Sequence, residues 1–217
     1  MTTADPLSPA ATLDGHGGQA DKRQQILDAA TRVFLLRGYG ETSMERVALE
    51  SGAARRTLYN QFKSKEALFE AMVARVWSTF PVLDITRDEA SLTDPRLGLT
   101  RLGMAVADFW VPPEAVAFLR MVIAEGPRFP ALTKTFLDIG KGPAMGAVAD
   151  YLAALAERKI LTIKDTKLAS RQFLGLIDEP LLWVRVVGID ETYTPKDRRA
   201  IVDSAVSMFL GFYSSNA

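Results

Sequence analysis

Between Ser51 and Lys65 the chain carries four cationic side chains, Arg55, Arg56, Lys63 and Lys65, and no acid. An arginine presents a planar fork of donors that can pair both major-groove acceptors of a guanine, while a lysine offers a compact charge to a phosphate. Thr57, Tyr59 and Gln61 add neutral donors among them. Thr42 and Ser64 stand where helices should begin, and free amides at a helix start attract phosphate; Lys65 follows Ser64 directly. Thr42, Arg55, Arg56, Thr57, Tyr59, Gln61, Lys63, Ser64 and Lys65 are therefore the candidate DNA-contacting set, the arginines for base edges and the helix starts for backbone. The whole chain is balanced, 26 Lys plus Arg against 26 Asp plus Glu, so any basic surface is local. Charge alone is equally compatible with a solvated face.

The elements that must hold these residues are short helices. From Lys22 to Arg37, Ile26, Ala30, Val33 and Phe34 recur at helical spacing, and Gly38 ends the pattern. Thr42 followed by Glu45 predicts a capping box, and Met44, Val47 and Ala48 give the second helix an inner face up to about Ser51. Gly52 breaks it. A third helix starts near Ala54 with Leu58, Tyr59 and Phe62 on its apolar side, which makes the pair a helix-turn-helix in outline. Ser64 caps a longer fourth helix striped by Leu68, Phe69, Met72, Val73, Val76, Trp77 and Phe80, and Pro81 closes it.

Residues 1–20 lack the basic start and apolar run of a signal peptide and are expected to be a flexible tail, with His16 as a solvated tail histidine. The stretch from Asp84 to Pro95 is polar and turn-rich, the expected junction between a domain at 21–82 and another at 90–217. Beyond it every candidate element is helical: Pro95 to Trp110, Pro113 to Glu125, Ala131 to Glu157, Asp165 to Val187 and Pro195 to Phe212. The fold class is all-α, a three-helix helix-turn-helix domain joined by the fourth helix to a helical ligand-binding and dimerisation domain.

The chain has no cysteine and one histidine, so thiolate metal sites, disulfides and cysteine nucleophiles are excluded and no metal or other cofactor is expected. No glycine-rich phosphate loop and no nucleophile elbow occurs, which leaves paired carboxylates as the one enzymatic option. A helical ligand carrier is a second alternative, opposed by the acid-free basic segment. No run approaches the length of a bilayer span, and the absence of cysteine fits a reducing cytoplasm.

The segment RQQILDAATRVFLLRGYGETSMERVALESGAARRTLYNQFKSKEALF resembles the N-terminal domain of the tetracycline-repressor (TetR) family over residues 22 to about 70. The shared pattern is the Gly-Tyr-Gly turn, the T-S-M-E-R-V-A helix, G-x-x-x-x-T-L-Y-x-x-F and K-S-K-E-A-L. The resemblance implies a homodimer whose recognition helices enter successive major grooves of a palindromic operator. It implies DNA contact for Thr42, Arg55, Arg56, Thr57, Tyr59 and Lys65, and core positions for Ala48, Leu58 and Phe62. Arg56 stands where glycine or proline is frequent and Gln61 where histidine or tyrosine is, so operator sequence does not transfer. AEGPRFP at 124–130 and SRQFLGLI at 170–177 resemble one branch of these regulators.

In the second domain Met104, Phe109, Trp110, Phe118, Met121, Met145, Phe173 and Trp183 are the candidate lining of a pocket for a small apolar or amphipathic effector, although such residues are more often plain core. Phe173, Ile177, Leu181 and Val184 make one wide apolar arc, and Ile201, Ala205, Met208, Phe209 and Phe212 stripe the last helix. An arc that wide needs two partners, the subunit's own core and a second copy. Glu125 lies in phase with Phe118, Met121 and Val122, with Arg128 as its expected ion-pair partner and a polar ligand group as the alternative. Asp178 and Glu179 precede Pro180, which predicts a kink beside Trp183 that shapes either a pocket or the dimer face.

Overall fold

Polar caps set most helix starts. In the computed structural model, which describes residues 15–214, the side chains of Ser43, Ser64, Asp88, Asp94, Asp165 and Thr194 each accept from a backbone amide three residues on. Such a bond satisfies one of the orphan donors of the first turn and contributes about 1 kcal/mol. The described chain is helical apart from one antiparallel bridge between Leu161 and Ser214. Helices α1 (Gly15–Arg37), α2 (Met44–Ser51), α3 (Arg55–Gln61) and α4 (Lys65–Ser78) form the N-terminal unit.

Three expectations change here. Helix α1 begins at Gly15, so residues 15–20 are helical rather than tail, while residues 1–14 and the side chain of His16 lie outside the described part. The cap of α2 is Ser43, which accepts from Arg46, and not Thr42. The polar stretch after Pro81 is two one-turn helices, α5 (Val82–Thr86) and α6 (Glu89–Thr93), because Val82 and Ile85 are buried in the second core while Asp88 caps the next turn.

The rest is α7 (Pro95–Phe109), α8 (Pro113–Glu125), α9 (Pro130–Thr135), α10 (Gly142–Glu157), α11 (Thr166–Asp178), α12 (Val184–Val186) and α13 (Pro195–Tyr213). Two π-helical segments interrupt the long helices, Phe136–Lys141 between α9 and α10 and Glu179–Trp183 between α11 and α12. Each contains or precedes a proline, Pro180 in one and Pro143 after the other. Proline has no amide for the i→i−4 ladder, and at Pro180, where a kink is expected, the helix takes a wider π-turn.

Two cores result. The larger joins α5, α7, α10, α11 and α13, with Leu99, Leu102, Leu152, Phe173 and Ile177 inaccessible to solvent. The other is built on Ile26, Phe34, Leu58, Leu68 and Phe69 of α1 to α4, yet it also contains Phe118, Met121 and Val122 of α8, Leu132 of α9 and Phe136. Burying each such side chain contributes about 1.5–3 kcal/mol. The N-terminal unit therefore completes its core with the second domain. No single helix among the described residues is long and apolar enough to cross a membrane.

Candidate DNA interface and effector cavity

Gly52 takes the left-handed conformation, φ 62°, and its amide bonds back to Ala48 and Leu49. This is the tight turn that sets α3 across α2, and Leu58 and Phe62, 0% and 3% exposed, hold α3 down on the core. Arg55, Arg56, Tyr59 and Lys63 then point to solvent, and no side chain caps the first turn of α3. Thr57 and Gln61 are half-buried.

The face is not purely basic. Glu45 of α2, inside the motif but outside the acid-free segment, lies 2.5 Å from Arg55 Nη2, and the Tyr59 hydroxyl donates to the same oxygen at 3.4 Å. Arg55 and Tyr59 are thus held together by an acid of the preceding helix. Arg46, a further cation exposed at the start of α2, was not among the sequence candidates.

Thr42 and Lys65 turn inward. The Thr42 hydroxyl donates to Gly38 O at 2.7 Å and the residue is 3% exposed, so it closes the α1–α2 turn. The Lys65 ammonium donates to the carbonyls of Tyr39 at 2.9 Å and Gly40 at 3.4 Å and sits 4.4 Å above the Tyr39 ring. Ser64 is the cap of α4, its hydroxyl oxygen accepting from Ala67.

The Gly38-Tyr39-Gly40 turn is where the two domains meet. Tyr39 stacks on Phe34 and meets Phe69 and Phe129 edge-on, and its hydroxyl donates to Glu66. That bond, the Glu66 backbone amide and the Ser64 hydroxyl hold the Glu66 carboxyl below its ordinary pKa, the backbone amide most. Glu125, at the end of α8, accepts from Gly40 N–H at 3.0 Å. A Cβ on Gly38, which also has φ 82°, would lie 2.4 Å from the Glu125 carboxylate, so only glycine serves there. The expected Glu125–Arg128 ion pair is not formed: the carboxylate faces the turn, and Arg128 lies over the Phe129 ring at 5.5 Å. Within the N-terminal unit, Arg75 ties α4 to α1 by binding Asp28 and Thr31.

Beside that joint, α1, α4, α7 and α8 flank a half-open cavity of about 440 Å³ lined by Thr31, Leu35, Met72, Val76, Phe80, Phe109, Phe118, Asp108 and Glu114. Its size and apolar walls suit a small organic ligand. Of the pocket residues expected from sequence, Phe109 and Phe118 line it, and Trp110 and Met145 line a smaller adjoining cavity with Phe109. The others do not. Met121 belongs to the N-terminal core, Phe173 is fully buried against Phe209, Trp183 is 58% exposed, and Met104 borders only an open surface groove. Periodicity identified apolar faces but not the gaps between them, so the walls contributed by α1 and α4 were missed.

Five of the nine candidate dimer residues, Phe173, Ile177, Leu181, Ala205 and Phe209, are buried in the chain's own core and cannot meet a partner. Val184 and Ile201 are half-buried, and Met208 and Phe212 are 60% and 79% exposed. Leu168 of α11, Trp183 and Val187 are also exposed, and the Tyr213 hydroxyl, donating to Gln172 at 2.5 Å, joins α13 to α11. The arc that needed two partners is divided: its inner half is satisfied within the chain, and its outer half is open.

Comparison with known proteins gives the same outline. The profile of "bacterial regulatory proteins, tetR family" matches residues 26–72, and that of the "AefR-like transcriptional repressor, C-terminal domain" matches residues 97–215, over half of the chain. The HTH-type transcriptional repressor NicS of Pseudomonas putida is 31% identical over 103 residues, 46% of this chain and 48% of NicS. The match thus spans about half the length of that relative. Among solved structures, a TetR family regulator from Pseudomonas syringae pv. tomato superposes with TM-score 0.71 at 26% identity, covering 90% of this chain and 98% of that one. The flavonoid-responsive regulator FrrA superposes with TM-score 0.72 at 26% identity, covering 91% and 100%. The helix-turn-helix, the shared core and the helical second domain are those of the TetR family of bacterial transcriptional regulators, to which this chain belongs, with an AefR-like C-terminal domain.

Proposed function

We propose that the chain is a cytoplasmic repressor that binds a palindromic double-stranded operator as a homodimer and leaves it when a small apolar or amphipathic ligand fills the 440 Å³ cavity. The observation that carries this reading is the cavity's position: two of its four walls, α1 and α4, belong to the helix-turn-helix unit, and the other two, α7 and α8, to the second domain. A ligand that needs more room displaces α4, which follows the recognition helix α3 after three residues. Displacement changes the separation of the two recognition helices from the roughly 34–36 Å that successive major grooves require. The exposed apolar side chains of Leu168 on α11 and of Met208 and Phe212 on α13 support the dimer that such a separation presupposes.

Arg55, Arg56 and Arg46 serve as base and phosphate donors on this reading, with Tyr59, Thr57, Gln61 and Lys63 beside them, while Lys65 and Thr42 shape the turn behind. Gel-shift titration on DNA from upstream of its own gene tests it. Wild type binds with a steep salt dependence, and the Arg55→Ala, Arg56→Ala double variant does not. Absence of salt-sensitive binding to any DNA refutes the regulator reading, and equal operator affinity with and without a bound ligand refutes the coupling.

A further inference from the structure

The second-domain wall of the 440 Å³ cavity is one corner of the chain: Asp108 and Phe109 at the end of α7, Pro112 in the turn, and Ala115 and Phe118 of α8. Directional bonds pin that corner to the rest of the second domain. Arg185 of α12 donates to the carbonyls of Trp110 and, at 3.2 Å, Val111, where α7 has ended and supplies no helical donor. Helix α12 ends in turn at Val186, and Arg120 of α8 donates to the carbonyls of Arg185 and, at 3.1 Å, Val186. The end of α12 is thus held by α8 and the end of α7 by α12, and α7 runs through the turn back into α8. The result is a closed ring with an arginine at two of its joints. From outside the ring, Arg198 Nε of α13 donates to Asp108 and Trp110 Nε1 donates to Asp178, both at 3.0 Å.

The opposite wall is held differently. Arg75 ties α4 to Asp28 and Thr31 of α1, and the hydroxyls of Ser78 and Thr79 donate within their own turn, so α1 and α4 move as one body. Towards the second domain α4 presents rings: Trp77 lies on Phe109, centroids 4.9 Å apart, and meets Phe136 edge-on at 6.1 Å. Among the described residues, the bond from Gly40 N–H to Glu125 is the single hydrogen bond between α1–α4 and the rest of the chain, and no ion pair joins the two. Hydrogen bonds fix direction, whereas apolar contact is non-directional and lets surfaces slide. Glu125 is the last residue of α8, about 15 Å along the helix from Ala115 in the cavity wall. A push at the cavity therefore acts at a distance from the one directional tie between the two bodies.

We propose that Arg120 and Arg185 are positioning residues that brace the α7–α8 corner as the fixed wall of the cavity, so that a ligand needing room swings α1 and α4 about the Gly40–Glu125 bond and carries the recognition helix with them. The proposal rests on the reading of the cavity as the effector pocket and adds which wall yields and what makes the other stand. Neither arginine lines the cavity, so both act through the corner rather than on the ligand. Without the brace the corner recedes and the ligand is housed with α4 at rest. A chain that does no work on α4 binds the ligand at least as tightly, and by reciprocity the ligand then acts less on the operator.

The test uses the full chain, DNA from upstream of its own gene and N-phenyl-1-naphthylamine, a neutral apolar dye that brightens on leaving water. Wild type binds the dye, and saturating dye weakens operator binding about tenfold. Arg120→Ala with Arg185→Ala binds the dye at least as tightly and holds the operator as wild type does without dye, but the dye's effect on it falls to about twofold or less. Arg120→Ala alone, should the double variant fold poorly, shows the same change at reduced size. Arg120→Lys, which keeps a cation and a donor for the same carbonyls, retains most of the effect. Amide exchange read by mass spectrometry without dye gives a second measurement: residues 105–118 exchange faster in the double variant while residues 65–78 keep their rate. A dye effect undiminished in the double variant, or unchanged exchange at 105–118, overturns the brace and leaves the effector reading in place. Loss of dye binding together with the effect also overturns it, because the arginines then shape the cavity itself. Dye bound by wild type with no change in operator affinity sinks the effector coupling and the brace with it.

Discussion

Replacing Glu125 by alanine removes the acceptor that Gly40 N–H reaches at 3.0 Å across 85 positions of sequence. A hydrogen bond to a charged group contributes about 1.5–3 kcal/mol, and the partial exposure of Glu125 puts this one near the lower bound, about 1.5 kcal/mol. In a chain of this size each kcal/mol moves Tm by about 2–4 °C, so Glu125→Ala lowers it by about 3–6 °C. Glu125→Gln, which keeps the size and a neutral acceptor, loses about half of that. The bond also fixes the Gly-Tyr-Gly turn that leads into α2, so the variant transmits ligand occupancy to the operator less well, and the ligand-induced change in operator affinity shrinks. Differential scanning fluorimetry and gel-shift titration with and without ligand read both effects. Arg128→Ala is the control, because Arg128 lies over Phe129 rather than against Glu125. An unchanged Tm together with unchanged coupling in Glu125→Ala refutes the reasoning, as does an Arg128→Ala variant that reproduces the loss.

Three further outcomes follow from the same geometry. Glu45→Ala frees Arg55 and Tyr59 and removes the one carboxylate that holds them, so affinity for any DNA rises and the slope of log K against log salt steepens by up to about one; an unchanged slope counts against Glu45 restraining Arg55. Met208→Glu with Phe212→Glu puts two charges on the open α13 face, and sedimentation then reports monomers that no longer hold the operator; persistent dimers mean that the interface lies elsewhere. For Asp178 the folded carboxyl titrates above its ordinary value of 3.8, mainly through desolvation, so the folded state holds the proton more tightly than the unfolded state. Stability therefore falls as pH rises from 3.8 through the raised value. Asp178→Asn raises Tm at neutral pH, and the gain vanishes below the ordinary value; a gain that does not depend on pH contradicts the buried-carboxyl account.

Much of the fold was legible because helices announce themselves locally. The three-and-four spacing of Ile26, Ala30, Val33 and Phe34, the cap at Ser64 and the glycine at 52 each act within a few residues; α3 and α4 keep close to their expected limits, and α1 ends where expected at Arg37 but starts earlier, at Gly15. Some local expectations changed as well. Thr42 carries the residue type of a cap, but its hydroxyl closes back on Gly38 and Ser43 takes the cap. At Pro180, where a kink is expected, the helix widens into a π-turn, and a second π-turn precedes Pro143 inside the stretch expected as one helix from Ala131 to Glu157.

The amino-acid order by itself determined the helical class, the helix-turn-helix and the cationic face of α3, since helical period, capping chemistry and charge are properties of neighbours in the chain. Only the tertiary structure decided what those faces meet. It set Glu45 against Arg55, carried Glu125 to the Gly-Tyr-Gly turn, sealed Phe173 and Ile177 inside while leaving Met208 and Phe212 open, and brought Trp77 to Asp178. Period tells which side of a helix is apolar, but packing of two helices chooses which part of that side is filled, and a cavity is the part that packing leaves unfilled.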